Sequence, residues 1–173
     1  FELDGNLLKV LDYSHNKTGR GNANIKVKAR NLLTGSTIER TFSSGQSVQD
    51  VSLDFANVSY LYSDGDLYYF MDNVTFEQPG IKQESLGESA QYLKEGMEVK
   101  LTFYKGEAID IELPTSVDLK VVEAEMAIRG DTATGVTKKV TTETGVTVQC
   151  PNFVNVGDNI RVDTRTGEYV TRV

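Results

Sequence analysis

The residues best placed to act on something outside the chain lie between His15 and Ala23, read as His-Asn-Lys-Thr-Gly-Arg-Gly-Asn-Ala. Arg20 is a long cation flanked by Gly19 and Gly21, and Lys17 stands just before them. Glycine opens backbone conformations closed to residues with a Cβ, at an entropic cost that something else must offset. The chemistry on offer is charge: a guanidinium is permanently positive and can fork onto phosphate oxygens. On spacing alone, Gly-Arg-Gly reads equally well as a tight turn carrying a solvated arginine.

Other constellations carry less. With one histidine, His15, and one cysteine, Cys150, there is no Cys/His zinc cluster and no Ser-His-Asp set that avoids His15. His15 lies near the tip, where a solvated or strand-end role is expected. Cys150 sits in Val146-Thr-Val-Gln-Cys-Pro, a strand pattern that predicts a small buried core residue. A lone cysteine allows no intrachain disulfide and fits a reducing compartment. Asp64 and Asp66 flank Gly65, too few oxygens for a calcium loop, so turn chemistry is expected. Arg129 to Gly135 is polar and holds two glycines, without the spacing of a phosphate-cradling loop. Tyr60, Tyr62, Tyr68 and Tyr69 could stack on bases, but their alternation favours packing. Neither metal nor cofactor is expected, and no paired acid and base supplies a hydrolase.

The elements that must hold the tip read as strands. Leu7 to Tyr13 is rich in β-formers, and Ile25, Val27 and Ala29 alternate with Lys26, Lys28 and Arg30, the period of two of a half-buried strand. Two strands joined by the glycine loop would carry Arg20 far from the core. Further strands are expected at Val48 to Phe55, Ser59 to Tyr62, Leu67 to Met71, Glu98 to Tyr104, Glu107 to Leu113, Asp118 to Glu125, Val146 to Gln149 and Asn159 to Val162, with Gly65 and Gly106 supplying positive φ in hairpin turns. The spacing of Leu86, Ala90 and Leu93 predicts one short helix over Glu84 to Glu95, stopped by Gly96. Many short strands without a long helical period argue for small all-β barrels or sandwiches.

Pattern resets at Ser43-Ser-Gly-Gln-Ser47 and Leu113-Pro-Thr-Ser116 divide the chain into residues 1–49, 50–114 and 115–173, each near the lower size limit for independent folding. Leu33-Thr-Gly-Ser and Arg165-Thr-Gly-Glu share a phrase too short to establish a repeat. The net charge of −7 is uneven: +2 up to Asp50, −8 from Val51 to Pro114 and −1 beyond. Association with phosphates is driven by counterion release and wants a basic face. Only the first unit offers one, through Lys17, Arg20, Lys26, Lys28 and Arg30, five cations that also read as a solvated strand face. No apolar run approaches the roughly 20 residues of a membrane span, and the chain opens at Phe1 without a basic-then-apolar leader, so a cytoplasmic protein is expected.

Lys17-Thr-Gly-Arg-Gly-Asn-Ala23, Ala29-Arg-Asn-Leu-Leu-Thr-Gly35 and Glu39-Arg-Thr-Phe42 together resemble the first domain of the bacterial elongation factor P family. Tyr60-Leu-Tyr-Ser-Asp-Gly-Asp66, Phe70-Met-Asp72 and Thr75-Phe-Glu-Gln78 resemble its middle domain. Arg129-Gly-Asp-Thr132 and Val162-Asp-Thr-Arg-Thr-Gly-Glu-Tyr169 resemble its last, so the likeness runs the length of the chain. The resemblance implies an SH3-like, KOW-type barrel followed by two OB-folds in an L-shaped, tRNA-like arrangement, with a short strand ahead of Phe1 that is missing here. It implies a monomeric translation factor that binds both ribosomal subunits beside peptidyl-tRNA and relieves stalls at consecutive prolines, without enzymatic chemistry of its own.

By the same resemblance Arg20 is the residue at the tip, supported by Lys17, Gly19 and Gly21. Lys26, Lys28 and Arg30, with Gly130, Asp131 and Thr132 of the last domain, are expected ribosome or tRNA contacts. Many members carry proline where Thr18 stands, and a tip lysine extended by a β-lysine-type group. Arg20 has no amine to acylate, so rhamnosylation by a glycosyltransferase, or no modification, is the expectation. The last domain departs at Met126-Ala127 and Lys138-Lys-Val140, where proline-containing stretches are common. The rival readings are an elongation factor P-like paralogue and a general OB-fold nucleic-acid binder, the latter disfavoured by the acidic middle.

Overall fold

The computed structural model describes residues 1–17, 19–126 and 135–173. The described chain forms three separate antiparallel sheets. The first holds β1 (Glu2–Leu3), β2 (Asn6–Asn16), β3 (Asn24–Asn31) and β4 (Thr37–Ser43), side by side in sequence order. Asp4 and Gly5 join β1 to β2 with φ of 51° and 75°, the backbone of a primed hairpin turn. Leu8, Val27, Ala29 and Phe42 form the core here, while Lys26 and Lys28 point outward, as the alternation of β3 requires.

The second sheet contains β5 (Asp54–Ser63), β6 (Leu67–Asp72) and β7 (Gly80–Lys82), then a single helical turn α1 (Gln83–Leu86) and a 3-10 turn (Gly87–Tyr92), then β8 (Glu98–Tyr104) and β9 (Glu107–Glu112). The third contains β10 (Ser116–Ala124), β11 (Thr137–Thr142), β12 (Thr147–Pro151), β13 (Asn159–Asp163) and β14 (Tyr169–Arg172). Their strand orders, β7-β6-β5-β8-β9 and β12-β11-β10-β13-β14, are the same topology twice. In both, the two edge strands approach each other, β7 toward β9 and β12 toward β14, which closes the five strands into an OB-type barrel. The long strands β2, β5 and β10 each carry a register shift, at Val10/Asp12, Tyr60/Tyr62 and Val121/Glu123. Such bulges raise local twist and let one strand turn a barrel corner.

Two expectations need correction. Val48 to Phe55 is not a strand: only Asp54 and Phe55 belong to β5, and the alternating Val51 and Leu53 instead pack as a connector against Leu7, Leu32 and Ile109. The helix over Glu84 to Glu95 is one α-turn and one 3-10 turn, broken at Gly87, whose φ of 56° no continuing helix adopts. Gly65 and Gly106 do take positive φ, 102° and 81°, in the turns after β5 and β8. Among the described residues no helix is long and apolar enough to cross a membrane.

A candidate site at the hairpin tip

On its β2 side the hairpin outruns the core. Inside the sheet Leu7 and Leu8 are buried, but every described residue from Lys9 to Lys17 is exposed, including Leu11 and Tyr13. Pairing nevertheless continues past the bulge, with Asp12 opposite Lys28, Ser14 opposite Lys26, His15 opposite Ile25 and Asn16 opposite Asn24. The outer part of β2 is therefore held by ladder hydrogen bonds and cross-strand pairs, each worth roughly 0.2–1 kcal/mol, against β3, which buries Val27 and Ala29 and stays paired with β4 out to Asn24 opposite Ser43. Gly19 turns the chain with φ of 46°, a left-handed conformation that disfavours a side chain at that position. Lys17, Gly19, Arg20 and Gly21 are all exposed, and no hydrogen bond or ion pair holds the Arg20 guanidinium among the described residues. What the tip presents is an exposed cation in a loop beyond the three-stranded end of the sheet, where β2, β3 and β4 are still paired at Asn16, Asn24 and Ser43.

The remaining cations of the first sheet are less free than their spacing suggests. Lys26 Nζ meets Glu39 Oε2 at 2.8 Å, and that hydrogen bond, with the added charge of Lys28, holds the Glu39 carboxyl below the usual range. Arg30 does not face outward with them: its guanidinium donates to the backbone carbonyls of Glu84 and Ser85 in the second domain, both at 3.3 Å. Lys9 likewise reaches across, to Asp110 Oδ2 at 2.7 Å. Asp110 is buried in β9, and the only trace of this pairing in the sequence is an acid within the apolar run Ala108-Ile-Asp-Ile111. Gly130, Asp131 and Thr132 lie outside the described residues.

Elsewhere the residues singled out for chemistry have structural duties. Asp64 Oδ1 accepts the N–H groups of Asp66 and Leu67, and Oδ2 accepts the Tyr69 hydroxyl at 2.9 Å. These bonds, the Leu67 amide foremost, lower its pKa and tie it into the turn. Tyr60 and Tyr68 pack on the second core, while Tyr62 and Tyr69 stack on each other with ring centroids 4.9 Å apart. Cys150 is wholly buried among Leu119, Val121, Val140, Val148 and Ile160, and burial pushes its thiol up to about 11. A thiol so placed is a packing group and a poor nucleophile.

A four-stranded sheet carrying an exposed cationic loop, followed by two OB-type barrels of one topology, defines a class of three-domain β proteins. Comparison with known proteins agrees along the whole chain. Residues 1–48 match the "Elongation factor P (EF-P) KOW-like domain", residues 53–111 the "Elongation factor P (EF-P) OB domain" and residues 117–172 "Elongation factor P, C-terminal". Proteins named elongation factor P are similar to it: that of Thermoanaerobacter sp. (strain X514) is 48% identical over 99% of this chain and 93% of its own length, and that of Coprothermobacter proteolyticus 49% over 99% and 92%. A solved structure of eukaryotic translation initiation factor 5A from Methanococcus jannaschii superposes with a TM-score of 0.47 at 23% identity, over 64% of this chain and 83% of that one. This chain belongs to the elongation factor P family.

Proposed function

We propose that the protein binds the ribosome beside peptidyl-tRNA and that the β2–β3 hairpin steadies the tRNA end during peptide-bond formation, most of all where consecutive prolines stall it. The observation that carries this reading is the exposed Arg20 in the glycine loop that extends past the last paired residues of the hairpin, Asn16 and Asn24. Proline is a rigid, poor nucleophile, so holding the donor ester in attack geometry removes entropy that would otherwise sit in the barrier. Arg20 would do this by forking onto phosphate oxygens, with Lys17 as a second charge and Gly19 and Gly21 allowing close approach. The chemistry of bond formation stays with the ribosome.

Arg20 is also the position a modifying glycosyltransferase would extend with rhamnose; its exposure permits that, and its permanent charge lets it serve bare. Lys26 and Lys28 flank the stalk as secondary phosphate contacts. The experiment is translation of a reporter with consecutive prolines in a reconstituted system. The expected result is rescue by the parent protein and loss of rescue by Arg20→Ala. An Arg20→Ala variant that rescues as well as the parent would refute the role of the tip.

A further inference from the structure

The echo between Leu33-Thr-Gly-Ser and Arg165-Thr-Gly-Glu is one turn built twice. In the first copy Asn31 Oδ1 accepts the N–H groups of Leu33 and Thr34, the Gly35 N–H donates to the Asn31 carbonyl at 2.8 Å, and the Asn31 N–H donates to the Ser36 carbonyl. In the second, Asp163 stands in for Asn31: its Oδ1 accepts the Arg165 N–H, the Gly167 N–H donates to its carbonyl at 2.8 Å, and its own N–H donates to the Glu168 carbonyl. Both glycines sit at φ of 76°.

The two turns dock on opposite ends of one stretch, residues 83–94 of the second domain. A Cβ on Gly35 would lie 3.2 Å from the Glu84 carbonyl oxygen, and beside it Arg30 grips the Glu84 and Ser85 carbonyls. Carbonyls at the end of a helical turn have no partner within the turn, and a guanidinium satisfies two at once. Arg30 lies over Gly87, where a Cβ would come within 3.1 Å of it. At the far end, a Cβ on Gly167 would lie 3.2 Å from the Tyr92 hydroxyl; Tyr92 is buried in the third domain's core, and Lys94 meets Glu143 at 2.9 Å.

We propose that Arg30 and Gly35 on one side, and Tyr92 and Gly167 on the other, are positioning residues, and that the stretch 83–94 is a joint which fixes the direction of the hairpin relative to the third domain. This rests on the reading of the tip given above, because direction matters only if the tip has a fixed target. Domains within one chain move relative to each other unless their interface is large or specific. Here the apolar cluster of Leu7, Leu32 and Ile109 backs the first contact, and the break at Gly87 makes room for the cation that locks it. Arg30 is thus committed inside the molecule, in contrast to the phosphate contact its spacing with Lys26 and Lys28 suggested.

The test uses the full chain with nitroxide labels at Ser44→Cys and Lys139→Cys, both exposed sites, Cys150 being buried out of reach of the reagent. The parent should give one narrow distance distribution. Arg30→Ala should broaden it with little change in thermal unfolding, and Arg30→Lys should recover part, since an ammonium reaches one carbonyl but cannot fork. In consecutive-proline translation, Arg30→Ala should lower the maximal rate about tenfold through misplacement of the tip. The salt dependence of half-saturation should stay unchanged. An unchanged distance distribution overturns the joint, and a salt slope reduced by about 1 would make Arg30 a phosphate contact instead. Distances that broaden with an unchanged rate overturn the positioning role if Arg20→Ala abolishes rescue. If Arg20→Ala is silent as well, the reading of the tip has failed, and the positioning role with it.

Discussion

The outer part of β2 and the strands of the third domain's barrel are the same element with opposite burial. In the third domain Leu119, Val121, Val140, Ile160 and Val162 alternate with exposed or half-exposed neighbours and are sealed from solvent. In the hairpin the alternation persists in the sequence, yet Val10, Leu11 and Tyr13 remain open to solvent. Such a strand contributes less to the stability of a domain, since a fully buried aliphatic side chain adds about 1.5–3 kcal/mol and Val10 and Leu11 are about half exposed. β3 and the barrels hold the molecule together; the loop beyond the paired strands packs against nothing among the described residues.

That contrast can be broken most directly by truncation. Leu119→Ala should destabilise the third domain by about 2–5 kcal/mol in urea unfolding, whereas Arg20→Ala should shift stability by less than about 0.5 kcal/mol. A comparable loss for Arg20→Ala would mean that the tip is part of the scaffold. A finer contrast lies among the turns. The turn of Asn31 and Asp163 occurs a third time, where Asp72 Oδ1 accepts the N–H groups of Val74 and Thr75 and the Phe76 N–H donates to the Asp72 carbonyl. Here Phe76 occupies the glycine position at φ of 61°, with 71% of its surface exposed. Docking explains the two glycines, and nothing in the fold covers this phenylalanine. Phe76→Gly should relieve left-handed strain and stabilise the second domain by about 1 kcal/mol, measured by thermal unfolding. A loss of stability would show that the ring packs in solution.

The smallest effect expected is acid sensitivity of the second copy's anchor. The Arg165 side chain and backbone hold the Asp163 carboxyl down at about 2, against an ordinary value of 3.8. A carboxyl with a lowered folded pKa contributes stability above its unfolded pKa and loses it as the pH falls toward the folded one. That loss should therefore appear between about pH 4 and pH 2. Arg165, the other half of the pair, is exposed to water, so screening should keep the effect to a modest shift of the acid transition. Asp163→Asn keeps the turn acceptor, as Asn31 does, and should flatten the pH dependence in that window. An identical acid profile in parent and variant would deny the ion pair any thermodynamic role.

Much of the barrel architecture was legible because its strands obey a local rule: Glu98–Tyr104 was bounded correctly from β-forming residues and the Lys105-Gly106 turn alone. Cys150 was legible for the same reason, as an inward position of an alternating strand. Misreadings fall where burial comes from another domain. Val51 and Leu53 alternate like a strand because they face Ile109, not because they pair in a ladder. Gly87 breaks a helical spacing that the apolar residues predict, by taking a φ of 56°, and the residue lying against it is Arg30, more than fifty residues away in sequence. Strand β4 was missed because its exposed Glu39 and Arg40 dilute the β signal, and it is held in place by pairing with β3. At the site, the glycines announced a turn and the alternation announced the stalk. Whether a cation on that stalk is free or spoken for is a matter of three-dimensional neighbours, which separate Arg20 from Arg30.

The most direct measurement is the single-turnover rate of peptide-bond formation on ribosomes holding a prolyl-peptidyl-tRNA, with saturating parent protein, Arg20→Lys or Arg20→Ala. A tip that positions the tRNA end predicts a fall in the maximal rate for Arg20→Ala, a partial return with Arg20→Lys, and nearly unchanged half-saturating concentrations, because the barrels still bind. A maximal rate for Arg20→Ala equal to that of the parent would contradict it and move the function away from the hairpin.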